Sequence, residues 1–183
     1  LVVGAGSVGR RAALQLAETP GIESVLVADR SRDRAAAAAA AIGKSAKVVQ
    51  WSSGDALPDG VAAVACALPG RLHEAVARSA IDAGVPFASC ADTGAAVAGL
   101  LDLSEAARDA GVALAVGCGM APGLADVLVR HAAESFDSME EIRVARAGAA
   151  GEACRDSLAE GLSGQTEEWR DGKWADFRGG SGR

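Results

Sequence analysis

Three glycines in the run Gly4-Ala5-Gly6-Ser7-Val8-Gly9 stand between an apolar Leu1-Val2-Val3 and a stretch of helical period. Between a strand and a helix, such a G-x-G-x-x-G run has a mechanism. The first glycine permits a tight turn, the second lets the backbone approach a pyrophosphate, and the third lets helix and strand pack closely. The helix start at Ser7 and Val8 offers unpaired N–H groups and a positive dipole end to the phosphates. Asp29 ends the next apolar run, 20 residues after Gly9, where a carboxylate accepts hydrogen bonds from the adenosine ribose hydroxyls. Its charge repels a 2′-phosphate, whereas Arg30, Arg32 and Arg34 beside it can accommodate one. The expected cofactor is NAD or NADP, with NAD slightly favoured.

Two further loops carry unusual residues. Ala67-Leu68-Pro69-Gly70 and Gly117-Cys118-Gly119-Met120-Ala121-Pro122-Gly123-Leu124 each leave an apolar run and enter a helical stretch. In a doubly wound sheet the loops at the carboxyl ends of the strands line the ligand crevice. Leu68, Pro69, Met120, Ala121 and Pro122 are thus expected to border the nicotinamide ring. The first loop reads equally as a plain connection, and the second as a domain hinge.

The elements that must position these loops follow a regular alternation. Leu1 to Val3, Ser24 to Ala28, Lys47 to Trp51, Val61 to Ala67, Val85 to Cys90 and Val112 to Val116 read as strands, several apolar on both faces. Val8 to Glu18, Asp33 to Ile42, Leu72 to Ala83 and Leu103 to Ala110 read as helices. The seven alanines from Ala35 to Ala41 need no function beyond helix formation. Gly84 and Gly111 suit left-handed helix ends. The expected fold class is α/β, a Rossmann-type doubly wound parallel sheet.

After residue 120 the rhythm changes. Pro122 to Ser135 reads as a helix with Pro122 in its first turn and Leu124, Val127, Leu128 and His131 on one face. Glu141 to Ala147 alternates like a short strand. Trp169-Arg170-Asp171-Gly172-Lys173-Trp174 carries the strongest hairpin signal in the chain. The division expected is a nucleotide-binding domain over 1–120 and a linking helix with a partial α+β substrate and dimerisation domain over 121–183. The final stretch holds few large apolar side chains, so the chain reads as a fragment trimmed at both ends.

Composition narrows the classes. The chain has 18 basic and 24 acidic residues, a net charge of -6, and a pI near 4.9, whereas a nucleic-acid-binding surface needs a basic stripe. Val112 to Ala125, the longest weakly charged apolar stretch, is too short to span a membrane and is broken by glycines and Pro122. The chain opens without a basic leader. Cys66, Cys90, Cys118 and Cys154 form no C-x-x-C pair, and His73 and His131 are the only histidines. No metal site is expected. Free thiols, mostly small buried hydrophobes, fit a reducing cytoplasm.

Other polar residues have ordinary readings. His73 is expected at the surface and His131 in the core. Asp126 and Arg130 form an i, i+4 pair, with Asp126 also near the helix start where a polar ligand can lie. Asp92 and Thr93 either meet substrate or cap the next segment. Trp169 and Trp174 read as a cross-strand pair.

Taken together, the chain resembles the saccharopine dehydrogenase-like family, including its lysine 6-dehydrogenase type. The resemblance rests on Gly4 to Gly9, Ala80-Ile81-Asp82-Ala83-Gly84-Val85, Cys90-Ala91-Asp92, Ala106 to Val112, and above all Gly119-Met120-Ala121-Pro122-Gly123-Leu124. It implies a Rossmann domain joined to an α+β domain that supplies substrate contacts and a dimer surface. It also implies oxidation or reduction of a C–N bond in an amino-acid-like substrate, with NAD or NADP. Saccharopine-forming members usually carry an acid where this chain has Ala121, which makes it look more like the lysine 6-dehydrogenase type. The expected function is an NAD(P)-dependent oxidoreductase of amino-acid metabolism, cytoplasmic and homodimeric, acting on a small molecule; its catalytic residues are unknown. The alternative is a non-catalytic NAD(P)-binding or redox-sensing module.

Overall fold

Val2 and Val3 sit side by side on one strand, yet they belong to different cores. Successive side chains on a strand point to opposite faces, so a strand buried throughout needs cover on both sides. The computed structural model supplies that cover. It describes residues 1–145, 147–149, 151–170 and 172–179. Contacts divide the chain into two compact units, 1–148 and 149–183.

In the first unit, β1 (Val2–Val3), α1 (Ser7–Glu18), β2 (Val25–Ala28), α2 (Arg32–Ile42), β3 (Ala46–Val48) and β4 (Val64–Cys66) follow in turn. A short 3-10 turn over Gly70–Leu72 leads into α3 (His73–Asp82), then β5 (Phe87–Ser89), α4 (Gly94–Leu101), α5 (Ser104–Asp109), β6 (Leu114–Ala115) and α6 (Leu124–Ala133). The six strands pair in parallel in the order β3-β2-β1-β4-β5-β6. The order reverses between β1 and β4, the switch point at which doubly wound sheets bind dinucleotides.

Alanine decides how closely the helices lie. Ala13 of α1 and Ala35 and Ala38 of α2 are fully buried with Val2, Val25 and Val27. On the other side, Val76, Ala77 and Ala80 of α3 pack with Val3, Val64, Cys66, Phe87 and Leu100. Gly84 and Gly111 take the left-handed conformation (φ +67° at each) just after α3 and α5, as their positions predict.

Several elements differ from expectation. The strands are shorter than their apolar runs. Helix α4 has no clear amphipathic period to announce it; Thr93 starts it by accepting the Ala96 N–H on its hydroxyl (3.4 Å). Helix α6 begins at Leu124 and not at Pro122, because Gly123 has φ +133°, which no helix can contain; the Ala121–Pro122 peptide is cis. Residues 141–145 adopt no regular structure: alternation gives a strand one apolar face but no partner.

The second unit, by itself, consists of α7 (Glu152–Ser163), which sequence reasoning missed, and an antiparallel hairpin of β7 (Gln165–Arg170) and β8 (Lys173–Arg178). Trp169 pairs with Trp174 in register. The turn residue Asp171 lies outside the described residues, as do the side chains of both tryptophans.

Candidate functional site

The glycine run forms the turn from β1 into α1, and each glycine has its own surroundings. Gly4 has φ +96°, and a Cβ on it would lie 2.5 Å from the Ala67 carbonyl oxygen. On Gly9 a Cβ would collide with the Gly4 carbonyl oxygen. These two are glycines because the chain's own packing requires it. Gly6 differs. Its φ is -72°, open to any residue, and a Cβ there would meet nothing within 4 Å. Packing within the chain does not explain Gly6, whose backbone is left open to approach. Gly6, Ser7 and Val8 are exposed, while Gly4, Ala5 and Gly9 are buried. Helix α1 has no side-chain cap and no acid in its first turn, so its leading N–H groups and dipole end are left for an anion.

Asp29, at the tip of β2, reaches this turn. Its Oδ2 accepts the Ala5 N–H at 2.8 Å, and its Oδ1 accepts the Ser31 N–H at 2.8 Å. Arg34 adds Nε (3.3 Å) and Nη2 (3.0 Å) to Oδ1. The Asp29 side chain is only 6% exposed. Burial pushes its carboxyl pKa up, but the Ser31 and Ala5 N–H groups and the Arg34 guanidinium together hold it below the ordinary value. Asp29 is thus a fixed anion that fastens the glycine turn, with Oδ2 bearing a single donor. Arg30 stands exposed next to it.

The loop after β4 closes on the same turn. A Cβ on Gly4 would also lie 3.2 Å from Leu68 Cδ2, which puts the Leu68 side chain against the turn; Pro69 is half-buried beside it. The loop after β6 meets the end of β5 instead. The Cys118 N–H donates to the Ser89 carbonyl at 2.7 Å, and Gly119 lies against the Cys90 carbonyl. Met120 is 59% exposed, and Ala121 and Pro122 are half-buried. The glycine turn, Asp29 and Leu68 come together; Met120, Ala121 and Pro122 lie in the loop between β6 and α6, whose Cys118 and Gly119 meet the end of β5.

Several polar residues have other places than expected. His73 is fully buried, not at the surface. It opens α3 in step with Val76, Ala77 and Ala80, an i, i+3, i+4, i+7 stripe that marks the buried face. Its Nε2 lies 2.8 Å from the Leu68 carbonyl and its Nδ1 2.8 Å from Ser89 Oγ. Ser89 shares the inward parity of Phe87 on β5, and this signal too was present in the sequence. His131 is exposed, not in the core, and so are Leu124, Val127 and Leu128 on its helix. A groove of about 390 Å3 runs between α6 and residues 139–145 and shares no residue with the glycine turn. Asp126 accepts the Gly123 N–H at 2.7 Å, while Arg130 pairs with Glu134 at 3.9 Å. Thr93 caps α4, and Asp92 is exposed. Of the thiols, Cys66 is buried and Cys118 exposed. Among the described residues no cluster could hold a metal ion, and no helix is long and apolar enough to cross a membrane.

Comparison with known proteins agrees with this fold. The saccharopine dehydrogenase (L-Glu forming) of Saccharomyces cerevisiae is 18% identical, with a TM-score of 0.67 over 98% of this chain and 44% of its own. GenD2 from gentamicin A biosynthesis, solved with NAD, is 28% identical at a TM-score of 0.53, over 62% of this chain and 32% of its own. A mutant 3-ketoreductase from Actinomadura kijaniata, solved with TDP-benzene and NADP, is 23% identical at a TM-score of 0.56, over 74% of this chain and 42% of its own. The chain spans less than half the length of each. A family model described as the saccharopine dehydrogenase NADP binding domain matches residues 1–116, the stretch from β1 to the end of β6. That match covers more than half of the sequence, and the chain belongs to the saccharopine dehydrogenase NADP binding domain family.

Proposed function

We propose that this chain is the nucleotide-binding part of an NAD(P)-dependent oxidoreductase that acts on a C–N bond of an amino-acid-like substrate. The observation that carries the reading is the union of Asp29 with the glycine turn: the Ala5 N–H bond holds the turn while Gly6 stays open. In this reading the α1 start and Gly6 hold the diphosphate, Asp29 Oδ2 takes a ribose hydroxyl, and Leu68 and Pro69 border the nicotinamide, with Met120, Ala121 and Pro122 on its substrate side. The bound cofactor supplies the hydride chemistry; the chain orients it and keeps water from its reactive face.

NAD is favoured over NADP because a buried carboxylate held anionic repels a 2′-phosphate. Arg34, drawn onto Asp29, and the exposed Arg30 soften that preference. Amino-acid metabolism, a homodimer formed through the second domain and a reducing cytoplasm complete the proposal; the wide spacing of the four cysteines along the chain, with no C-x-x-C pair, supports the last.

A second reading, a non-catalytic NAD(P)-binding or redox-sensing module, has one observation in its favour. His73, Thr93 and Asp126, polar side chains at the strand ends or helix starts, each bond within the chain. Titration of the protein with NADH and NADPH by nicotinamide fluorescence, then a screen of amino acids by nicotinamide absorbance, tests both readings. Binding with turnover supports the oxidoreductase, binding without turnover the module, and failure to bind either nucleotide overturns both.

A further inference from the structure

The His73–Ser89 pair lies where three loops of the crevice meet. A carbonyl oxygen can only accept, so the 2.8 Å contact with Leu68 puts the proton on His73 Nε2. Nδ1 is then an acceptor, and the Ser89 hydroxyl donates to it at 2.8 Å. The same hydroxyl oxygen accepts the Ala91 N–H at 3.1 Å, and the Ser89 carbonyl accepts the Cys118 N–H at 2.7 Å. One chain of bonds thus joins the loops after β4, β5 and β6. Both side chains are fully buried, where a fully satisfied polar network rigidifies what it joins. Leu68, at one end of this chain, also has its side chain against Gly4.

We infer that His73 and Ser89 are positioning residues for the nicotinamide half of the cofactor: by fixing the Leu68 carbonyl relative to Ala91 and Cys118, they set the edge against which the ring lies. The inference rests on the proposed cofactor reading and assigns the pair no proton transfer. The adenosine half is held elsewhere, by the α1 start and Asp29, so the two halves respond separately to loss of the pair.

The test compares NADH with ADP-ribose, which lacks the nicotinamide, on the full chain by calorimetry. His73→Ala weakens NADH by about tenfold, the loss of roughly one well-made hydrogen bond to an ordered loop, and leaves ADP-ribose within about twofold. His73→Gln, whose amide can still donate to the Leu68 carbonyl, recovers most of the NADH affinity. Ser89→Ala removes a single hydroxyl and weakens NADH alone by about threefold; it decides the matter if His73→Ala does not fold. Equal weakening of NADH and ADP-ribose, or no change in either, overturns the inference. A native chain that binds neither ligand overturns the cofactor reading, and this inference with it.

Discussion

Asp29 Oδ2 accepts the Ala5 N–H at 2.8 Å, a bond between residues 24 apart in sequence that fastens the tip of β2 to the middle of the glycine turn. The carboxylate therefore shapes the turn as well as presenting a lone pair to a ribose. Asp29→Ala strands the Ala5 and Ser31 N–H groups and should cost about 2–3 kcal/mol, since hydrogen bonds to a charged acceptor are among the stronger ones. The half-exposed Arg34 adds little to that figure. Denaturant unfolding measures the loss, and NADH should weaken more than NADPH, because the loosened turn affects both while loss of the carboxylate also relieves the repulsion of a 2′-phosphate.

Gly6 and Gly9 should separate binding from folding. Gly9→Ala drives a Cβ into the Gly4 carbonyl and should destabilise the fold by about 1–3 kcal/mol or more. Gly6→Ala meets no atom of the chain, so its stability should stay within about 1 kcal/mol. Its nucleotide affinity should nonetheless fall by at least about tenfold, the scale of a lost close approach. Thermal melts beside NADH titrations check the pair; a Gly6→Ala protein that binds normally would remove the diphosphate from this turn.

Arg34 should tune the choice of cofactor. It is drawn onto Asp29 at 3.0 Å yet remains half exposed, where a 2′-phosphate could share it. Arg34→Ala should weaken NADPH several-fold more than NADH, because the fixed Asp29 charge is then uncompensated. The ratio of the two dissociation constants is the quantity to follow.

Acid should destabilise the fold in two steps. Burial lowers the His73 pKa from its ordinary 6.5, against the opposing pulls of the Leu68 carbonyl and the Asp92 charge. The fold prefers the neutral ring, so its contribution is complete above about pH 6.5 and is lost as pH falls toward the lowered value. Asp29, held below its ordinary 3.8, contributes fully above about pH 4 and loses that contribution at lower pH. Urea midpoints across pH 7.5 to 3 should show both declines, and His73→Gln should remove the first.

The cysteines should react in order of access. Cys118 is exposed, whereas Cys66 is buried and its thiol is pushed up to about 12, chiefly by burial. A thiol-specific chromogenic disulfide should label Cys118 in the native protein and Cys66 only after unfolding. Prompt native labelling of Cys66 would show that the β4 end opens readily.

The fold was legible wherever a short-range rule applied. Glycine spacing with an acid at the next strand's end announced the turn and its carboxylate. Valine runs announced strands covered on both faces, and Gly84 and Gly111 announced helix ends. Such features depend on a residue's own backbone freedom or on a period of two or 3.6, both written in consecutive residues. Helix α4 escaped because it is apolar without a period, and described residues 141–145 of the strand read at Glu141 to Ala147 form no strand because alternation does not supply a pairing partner. His73 was misjudged as a surface residue, although its spacing to Val76, Ala77 and Ala80 put it on the buried face.

By itself, then, the sequence determined the strand–helix alternation from β1 to α3, the glycine turn and the acid meant for it, since each follows from residue type and near spacing. The tertiary structure alone decided that Asp29 bonds Ala5, that Arg34 folds back onto Asp29, and that His73 and Ser89 join three loops. Those bonds link side chains and backbone across sheet neighbours such as β1 with β2 and β4 with β5. Which groups meet there depends on register and twist, and neither is encoded in the spacing of any single segment.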